Sequence, residues 1–219
     1  MKRLIQLLLV LLPLCLHAQE SDFNTYTQQR ATITEGQPIE DSLFLCLCLP
    51  CDTPSPIDSL LLHLSCFPAE RMGINSQYSP YCIGEVKRLP IPDLDTALLP
   101  VLFYVEADRD YTKSLVLATF THDGTEVASQ VIASDDPALM APGETADTKT
   151  LRLFQYRCEQ GMVYVRQCCY DGDLHLIDWI TSSYRILHDG TIKRVDEIDA
   201  KSMQRVFREF PLVDKWSVD

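Results

Sequence analysis

The sequence predicts a mainly β protein: an antiparallel meander that forms a curled sheet, a sandwich or a partly open barrel, with one or two short helices. Six segments are rich in Val, Ile, Leu, Tyr, Phe and Thr, the residues that favour strands. Turn signals separate them at the spacing of hairpins. The six segments are residues 101–106, 115–120, 126–132, 151–158, 163–170 and 180–187.

A repeated tetrapeptide gives the clearest turn signal. The sequence His-Asp-Gly-Thr occurs at residues 122–125 and again at residues 188–191, each time between two extended segments. Asp171-Gly172 is a third Asp-Gly pair. Asp-Gly readily supplies the positive φ angles that tight hairpin turns need, so we expect a turn at each of the three positions.

Two short helices are expected beside the strands. Ser55-Pro56 has the form of a helix start, and it predicts a helix from residue 57 to about residue 66. Apolar spacing predicts a second helix within residues 199–210, closing one side of the sheet. The apolar positions are Leu60, Leu61 and Leu64 in the first helix, and Met203, Val206, Phe207 and Phe210 in the second.

Two segments between these elements are less regular. The apolar run at residues 43–49 is short and without clear period, so helix and buried strand are both open. Residues 67–100 contain five prolines and are expected to be irregular, with short extended pieces.

Residues 1–18 have the features of a secretory signal peptide. The start is positive, residues 4–16 are almost wholly apolar, and Ala18 supplies the small residue before the cut. This apolar run is shorter than the roughly 20 residues of a membrane span. We therefore predict export to the periplasm or the medium, with no transmembrane segment. The predicted order is a signal peptide (1–18), a flexible N-terminal leader (19–40), for which an edge strand is the alternative, and a single mainly-β domain (41–219).

Several hairpin motifs follow one another in the second half of the chain: Tyr81-Cys82-Ile83-Gly84-Glu85-Val86, residues 114–120, Asp123-Gly124 with residues 127–132, and Tyr184-Arg185-Ile186 with Asp189-Gly190. In this order the chain resembles a loose group of uncharacterised exported β-rich proteins of Gram-negative bacteria, which has no assigned activity. The resemblance implies an exported β-rich domain and adds no chemistry.

The charge balance excludes one class of partner. The formal net charge is −12, and removal of the signal peptide, which carries Lys2 and Arg3, would make it more negative. Such a surface repels nucleic acid phosphates, so no nucleic acid partner is expected. It suits a basic partner instead.

The motifs indicate binding rather than catalysis. The sequence has no Gly-x-Ser-x-Gly elbow, no His-Glu-x-x-His helix and no phosphate-binding glycine loop. We therefore predict a non-catalytic periplasmic or secreted module that binds a protein or ligand partner, and we expect no cofactor. The alternatives are a metal-dependent hydrolase that uses the His-Asp-Gly turns and an acidic periplasmic immunity-type protein.

Three groups of residues are candidates for sites. Aromatic residues along the last strands form a possible binding platform, and the two turn histidines are candidate metal ligands if their turns meet. An even number of cysteines in an exported chain indicates disulfides, although at least two of the eight are expected to be buried thiols. The platform is Tyr164, Tyr170, Trp179 and Tyr184, the histidines are His122 and His188, and the cysteines are Cys46, Cys48, Cys51, Cys66, Cys82, Cys158, Cys168 and Cys169.

Overall fold

Two antiparallel β-sheets that do not close into a barrel make up most of the protein, which confirms the predicted mainly-β class. The computed structural model describes residues 23–40, 57, 60–61, 63–66, 81–107, 112–135, 151–195, 198–210 and 212. The predicted signal peptide and the apolar run at residues 43–49 lie outside these residues. No helix within the described part is long and apolar enough to cross a membrane.

Consecutive strands pair in both sheets, as expected for a meander, except that the first described strand joins the edge of the five-stranded sheet from much earlier in the chain. The four-stranded sheet has the order β2-β3-β4-β5, and the five-stranded sheet has the order β1-β6-β7-β8-β9. All six predicted strands are present. The strands are β1 (Pro38–Glu40), β2 (Tyr81–Arg88), β3 (Leu98–Ala107), β4 (Lys113–Thr121), β5 (Glu126–Ser134), β6 (Leu151–Glu159), β7 (Met162–Tyr170), β8 (Leu176–Ile186) and β9 (Ile192–Arg194).

The repeated tetrapeptide forms the same turn twice, between β4 and β5 and between β8 and β9. Its glycines have positive φ angles, 86° at Gly124 and 84° at Gly190. In each turn the aspartate accepts a hydrogen bond from the backbone N–H two residues later, at 3.1 Å for Asp123 and 2.9 Å for Asp189. These bonds replace strand pairing at the turn, which explains why the motif is used at both places.

The third Asp-Gly pair forms its turn differently. Asp171 accepts from the backbone N–H groups of Asp173 and His175, at 2.9 Å each. The positive φ angle, 64°, falls on Leu174 and not on Gly172. The pair therefore marks the turn but does not locate its left-handed residue.

The main core lies between the two sheets. In β4, Leu115 and Leu117 point towards the five-stranded sheet, while Val116 and Ala118 point to the opposite side. This alternation is the two-residue period of a strand, and β4 is buried on both faces. The five-stranded sheet contributes Phe154, Tyr156, Cys158, Val163, Val165, Tyr184 and Ile186 to this core.

The outer face of the four-stranded sheet is covered by the N-terminal part of the chain. Helix α1 (residues 23–28) places Phe23 on Phe120, with ring centroids 4.9 Å apart. Ile57, Leu60 and Leu61 are helical, but His63 to Cys66 form turns, so this helix is shorter than predicted.

Residues 29–40 lead from α1 to the second sheet. The backbone N–H of Ile33 donates to the carbonyl of Arg88 at the edge of β2, at 2.9 Å. Further on, β1 pairs with β6. The described part of the predicted flexible leader therefore contains a helix and an edge strand that link the two sheets.

Helix α2 (Ala200–Val206) lies on the outer face of the five-stranded sheet, as the apolar spacing predicted. Asp199 caps its start, because one carboxylate oxygen accepts from the backbone N–H groups of Lys201 and Ser202 at 2.9 and 3.0 Å. Met203, Val206 and Phe207 are buried on the side facing the sheet.

Candidate functional site

Arginine and aromatic side chains share the outer face of the five-stranded sheet. On β7, Tyr164, Arg166 and Tyr170 point outwards, since they alternate with the residues that face the inter-sheet core. Strand pairing places Arg157 of β6 opposite Tyr164. On the other side, Trp179 of β8 lies close to Tyr170. We call these five residues the arginine–aromatic face.

The face is cationic although the protein as a whole is acidic. Arg166 is 4% exposed and donates to Oε1 of Gln155 at 2.6 Å. Burial raises the pKa of the Tyr164 phenol, an effect that Glu159 increases and that Arg185, Arg205 and Arg157 oppose. Three arginines are therefore close enough to act on one tyrosine.

The C-terminal segment, defined as residues 198–210 and 212, lies on this face. Arg157 Nη1 donates to the carbonyl of Val206 at 2.8 Å, and Arg166 Nη2 donates to the carbonyl of Phe210. The guanidinium of Arg166 also lies 4.9 Å from the centroid of the Phe207 ring. Two arginines thus hold the backbone where α2 ends. The C-terminal end of a helix carries a partial negative charge and has carbonyls without partners inside the helix, so it suits cationic donors.

Apolar contacts complete this attachment. Tyr164 and Ile198 pack against the buried side of α2. At the other end of the face, Leu212 packs against the cluster that contains Tyr170 and Trp179. The segment therefore bridges both apolar ends of the face.

The structure brings together three of the four predicted platform residues. Tyr164, Tyr170 and Trp179 lie on the outer face, where the C-terminal segment contacts their surroundings. Tyr184 lies on the opposite side, in the core between the sheets, and is 3% exposed. The two-residue spacing of Arg166 from Tyr164 on β7 is the sequence signal that could have identified Arg166. Arg157 shares its face of β6 with Leu153 and Gln155 and gives no such signal.

The two histidine turns lie against the same loop. His122 Nε2 is 2.9 Å from the carbonyl of Thr96, and the backbone N–H of Asp95 donates to the carbonyl of His188 at 3.2 Å. Within the described ranges, no group of three or more His, Cys, Asp and Glu side chains is arranged to hold a metal ion. Metal binding by these histidines stays a prediction.

The structure describes the side chains of four cysteines: Cys66, Cys158, Cys168 and Cys169. Cys46, Cys48, Cys51 and the side chain of Cys82 lie outside the described part. Burial raises the pKa of the Cys66 thiol to about 11 and that of Cys158 to about 12. Both are therefore protonated at neutral pH, and a protonated thiol is a poor nucleophile and a poor metal ligand. No disulfide joins these four cysteines to one another, and the division of the eight cysteines between disulfides and buried thiols stays a prediction.

A second polar cluster lies between the sheets at the end of β4. The backbone N–H of Lys113 donates to Asp135, and Arg152 Nη1 donates to the carbonyl of Ser134 at 3.3 Å. Burial raises the pKa of Asp135 to about 6, against the opposing effects of Lys113 and Arg152. The buried Lys113 Nζ has no hydrogen-bond partner among the described residues and lies 5.9 Å from the centroid of the Tyr104 ring.

This inner cluster offers little space for a ligand. The neighbouring cleft is lined by Glu85, Lys87, Tyr104 and Tyr156, among others, and has an internal volume of about 20 Å³. A single water molecule needs about 10 to 15 Å³ measured in this way. We therefore regard the cluster as part of the folded core, and the arginine–aromatic face as the candidate site.

Comparison with known proteins finds no match: no family model, no curated protein and no solved structure is similar to the chain. The resemblance to exported β-rich proteins stays a prediction. A function has to be inferred from the geometry of the candidate site.

Proposed function

We propose that the protein is an exported, non-catalytic module that binds a protein partner through its arginine–aromatic face. One observation carries the proposal: this face already holds a peptide segment, and Arg157 and Arg166 hold it by its backbone carbonyls. Carbonyl groups are present in every polypeptide. The same two side chains would therefore suit the end of another helix.

The composition of the face supports a role in protein binding. Arginine, tyrosine and tryptophan are the residues that most often dominate the energy of protein interfaces. Arg166 is also fixed in advance, since Gln155 orients its guanidinium. A group that is already ordered loses less conformational entropy when a partner binds.

The proposed location rests on the N-terminal sequence. Residues 1–18 have the pattern of a cleaved export signal, which ends before Gln19. Mass spectrometry of the protein from its native cells tests this part. We expect a chain that begins at Gln19 in the periplasm or the medium, and a cytoplasmic chain that begins at Met1 would contradict it.

Photocross-linking in the native compartment tests the binding role. A photoreactive phenylalanine analogue replaces Trp179, which is half-buried at the rim of the face, and in a matched control it replaces Val127, which is 40% exposed on the other sheet. We expect a discrete protein adduct from position 179 and none from position 127. No adduct at either position, or the same adduct at both, would contradict binding through this face.

A further inference from the structure

We infer that the partner presents a short amphipathic helix followed by an acidic group, and that the chain's own C-terminal segment competes with this helix for the arginine–aromatic face. This inference rests on the proposed function and specifies its partner. It draws on three features of the segment: where the helix ends, what charge it carries, and how it is connected.

The first feature is the position of the two arginines at the end of α2. Val206 is the last residue of α2, and its carbonyl accepts from Arg157. Four residues later, the carbonyl of Phe210 accepts from Arg166. The face is therefore built to receive a helix that stops there, and it satisfies carbonyls that the helix itself leaves open.

The second feature is a poor match of charge. The segment from residue 199 to residue 212 carries three basic side chains and two acidic ones: Lys201, Arg205, Arg208, Asp199 and Glu209. It is net positive, yet it lies on a face that contains Arg157 and Arg166, and its own Arg205 lies close to Tyr164 together with Arg157 and Arg185. The sheet itself supplies one carboxylate, Glu159, whose Oε2 lies 3.1 Å from Arg157 Nε, but the arginines outnumber it. An acidic segment would complement the positive charge of these arginines better.

Carboxylates are also better acceptors for these side chains. A guanidinium binds a carboxylate through two parallel, charge-assisted hydrogen bonds, roughly twice as strong as bonds to a neutral carbonyl. A single, longer contact with a carboxylate is already present, since Arg157 Nη1 lies 3.5 Å from Oε2 of Glu209. A carboxylate at the position of the Phe210 carbonyl would form an arginine–carboxylate contact with Arg166 as well. The preferred partner segment is thus acidic at its end, although the overall charge of the protein suits a basic partner.

The third feature is the connection of the segment to β9. Only residues 195–199 separate the end of β9 from the start of α2. A segment tethered so closely has a high local concentration at the face. The apparent affinity for a partner is then reduced by the fraction of molecules in which the face is open.

Two synthetic peptides of residues 199–210 test the inference. They are identical except that one ends in a free carboxylate and the other in an amide, so the difference lies at the Phe210 carbonyl. Fluorescence anisotropy measures their binding to the full mature chain and to the same chain with Phe207→Ala. The substitution weakens the segment by removing the ring on Arg166, and it leaves the sheet unchanged.

We expect the free-acid peptide to bind the Phe207→Ala chain at least tenfold more tightly than it binds the wild-type chain. On the Phe207→Ala chain, the free-acid peptide should also bind at least threefold more tightly than the amide peptide does. Adding Arg166→Ala should abolish both the preference for the acid and most of the binding. The control is Gln204→Ala, an exposed and uncharged residue of the same segment. This control should behave as wild type.

The outcomes separate the inference from the proposed function. Equal affinity for the acid and the amide would overturn the acidic partner and leave the binding face in place. Binding that survives Arg166→Ala would overturn the inferred site. If amide exchange shows that α2 is released but neither peptide binds, the inferred competition between segment and partner is wrong. The cross-linking from position 179 tests the proposed function independently of this result. Should Phe207→Ala unfold the protein, Met203→Ala weakens the packing of the same helix on the sheet with a smaller loss of volume.

Discussion

At the turn between β7 and β8, a leucine has the backbone conformation that glycine usually provides. Leu174 has a φ angle of 64°, while Gly172 in the same turn does not have a positive φ. A left-handed conformation at a residue with a side chain costs about 1 kcal/mol or more. The strain is tolerated because the bonds to Asp171 fix the turn.

We expect Leu174→Gly to stabilise the protein by about 0.5 to 1 kcal/mol, since the relief of strain exceeds the greater entropy of glycine in the unfolded chain. Urea unfolding measures the change. The control is Gly172→Ala, where no atom lies within 4 Å of the added carbon, and it should leave the stability unchanged or slightly higher. Destabilisation by Gly172→Ala without a gain from Leu174→Gly would place the left-handed residue at Gly172.

Asp135 gives the inner polar cluster a dependence on pH. Burial raises its pKa from 3.8 to about 6. The folded protein therefore binds this proton more tightly than the unfolded chain does. The stability that this residue contributes is present below about pH 4 and is lost as the pH rises to about 6.

We expect the stability of Asp135→Asn, measured relative to wild type, to be greater at pH 7 than at pH 4. A pKa shift of about two units corresponds to a change of up to about 3 kcal/mol in this difference. Urea unfolding of both proteins at several pH values measures this difference. Asp123→Asn is the contrasting variant, because hydrogen bonds from Thr121 and Thr125 lower the pKa of Asp123, so its difference should have the opposite sign. A difference that stays flat from pH 4 to pH 7 would show that the Asp135 pKa is not raised.

At the scale of single elements, α2 depends on its cap. Both oxygens of the Asp199 carboxylate take part, since the second accepts from the Ser202 hydroxyl at 2.7 Å. A helix of only seven residues is not stable by itself, so capping and packing on the sheet must hold it together.

Asp199→Ala should therefore increase the rate of amide exchange throughout α2 several-fold, with little effect on the strands. Asp199→Asn is the matched control, because its amide oxygen can still accept from the helix start. Hydrogen exchange followed by mass spectrometry separates the two. Equal exchange in wild type and Asp199→Ala would show that packing alone holds the helix in place.

The strands were predictable from sequence because their signals are local. The stretches rich in β-branched and aromatic residues, and the two His-Asp-Gly-Thr turns, identify six strands and two hairpins. The longest strand that these signals miss is β2, which lies in a proline-rich region and contains Gly84 at an irregularity in its pairing with β3. Local propensity there favours a break, and the pairing with β3 overrides it.

The site was only partly predictable, for a related reason. Aromatic residues at alternate positions indicated a face, and Tyr164, Tyr170 and Trp179 lie on it. The contacts of Arg157 and Arg166 depend on residues 206 and 210, which are 49 and 44 positions further along the chain. No local pattern reports such a tertiary contact, nor that β8 turns Tyr184 towards the core.

For the whole molecule, the decisive question is where the domain begins. A flexible leader at residues 19–40 would contribute nothing to stability. In the structure, however, Phe23 is 2% exposed and lies in the same core as Leu61 and Phe120. The segment then passes the edge of β2 and joins the other sheet through β1. It therefore covers one face of the domain and connects both sheets.

We expect Phe23→Ala to lower the free energy of unfolding by about 3 kcal/mol, the usual cost of removing a buried aromatic ring. Gln28→Ala, an exposed residue of the same helix, should change it by no more than about 0.5 kcal/mol. Urea unfolding of the mature chain compares the two variants. Equal small effects would mean that residues 23–28 do not belong to the folded domain. A large effect confined to Phe23 would mean that α1, which covers the four-stranded sheet as α2 covers the five-stranded sheet, is a structural layer of the sandwich.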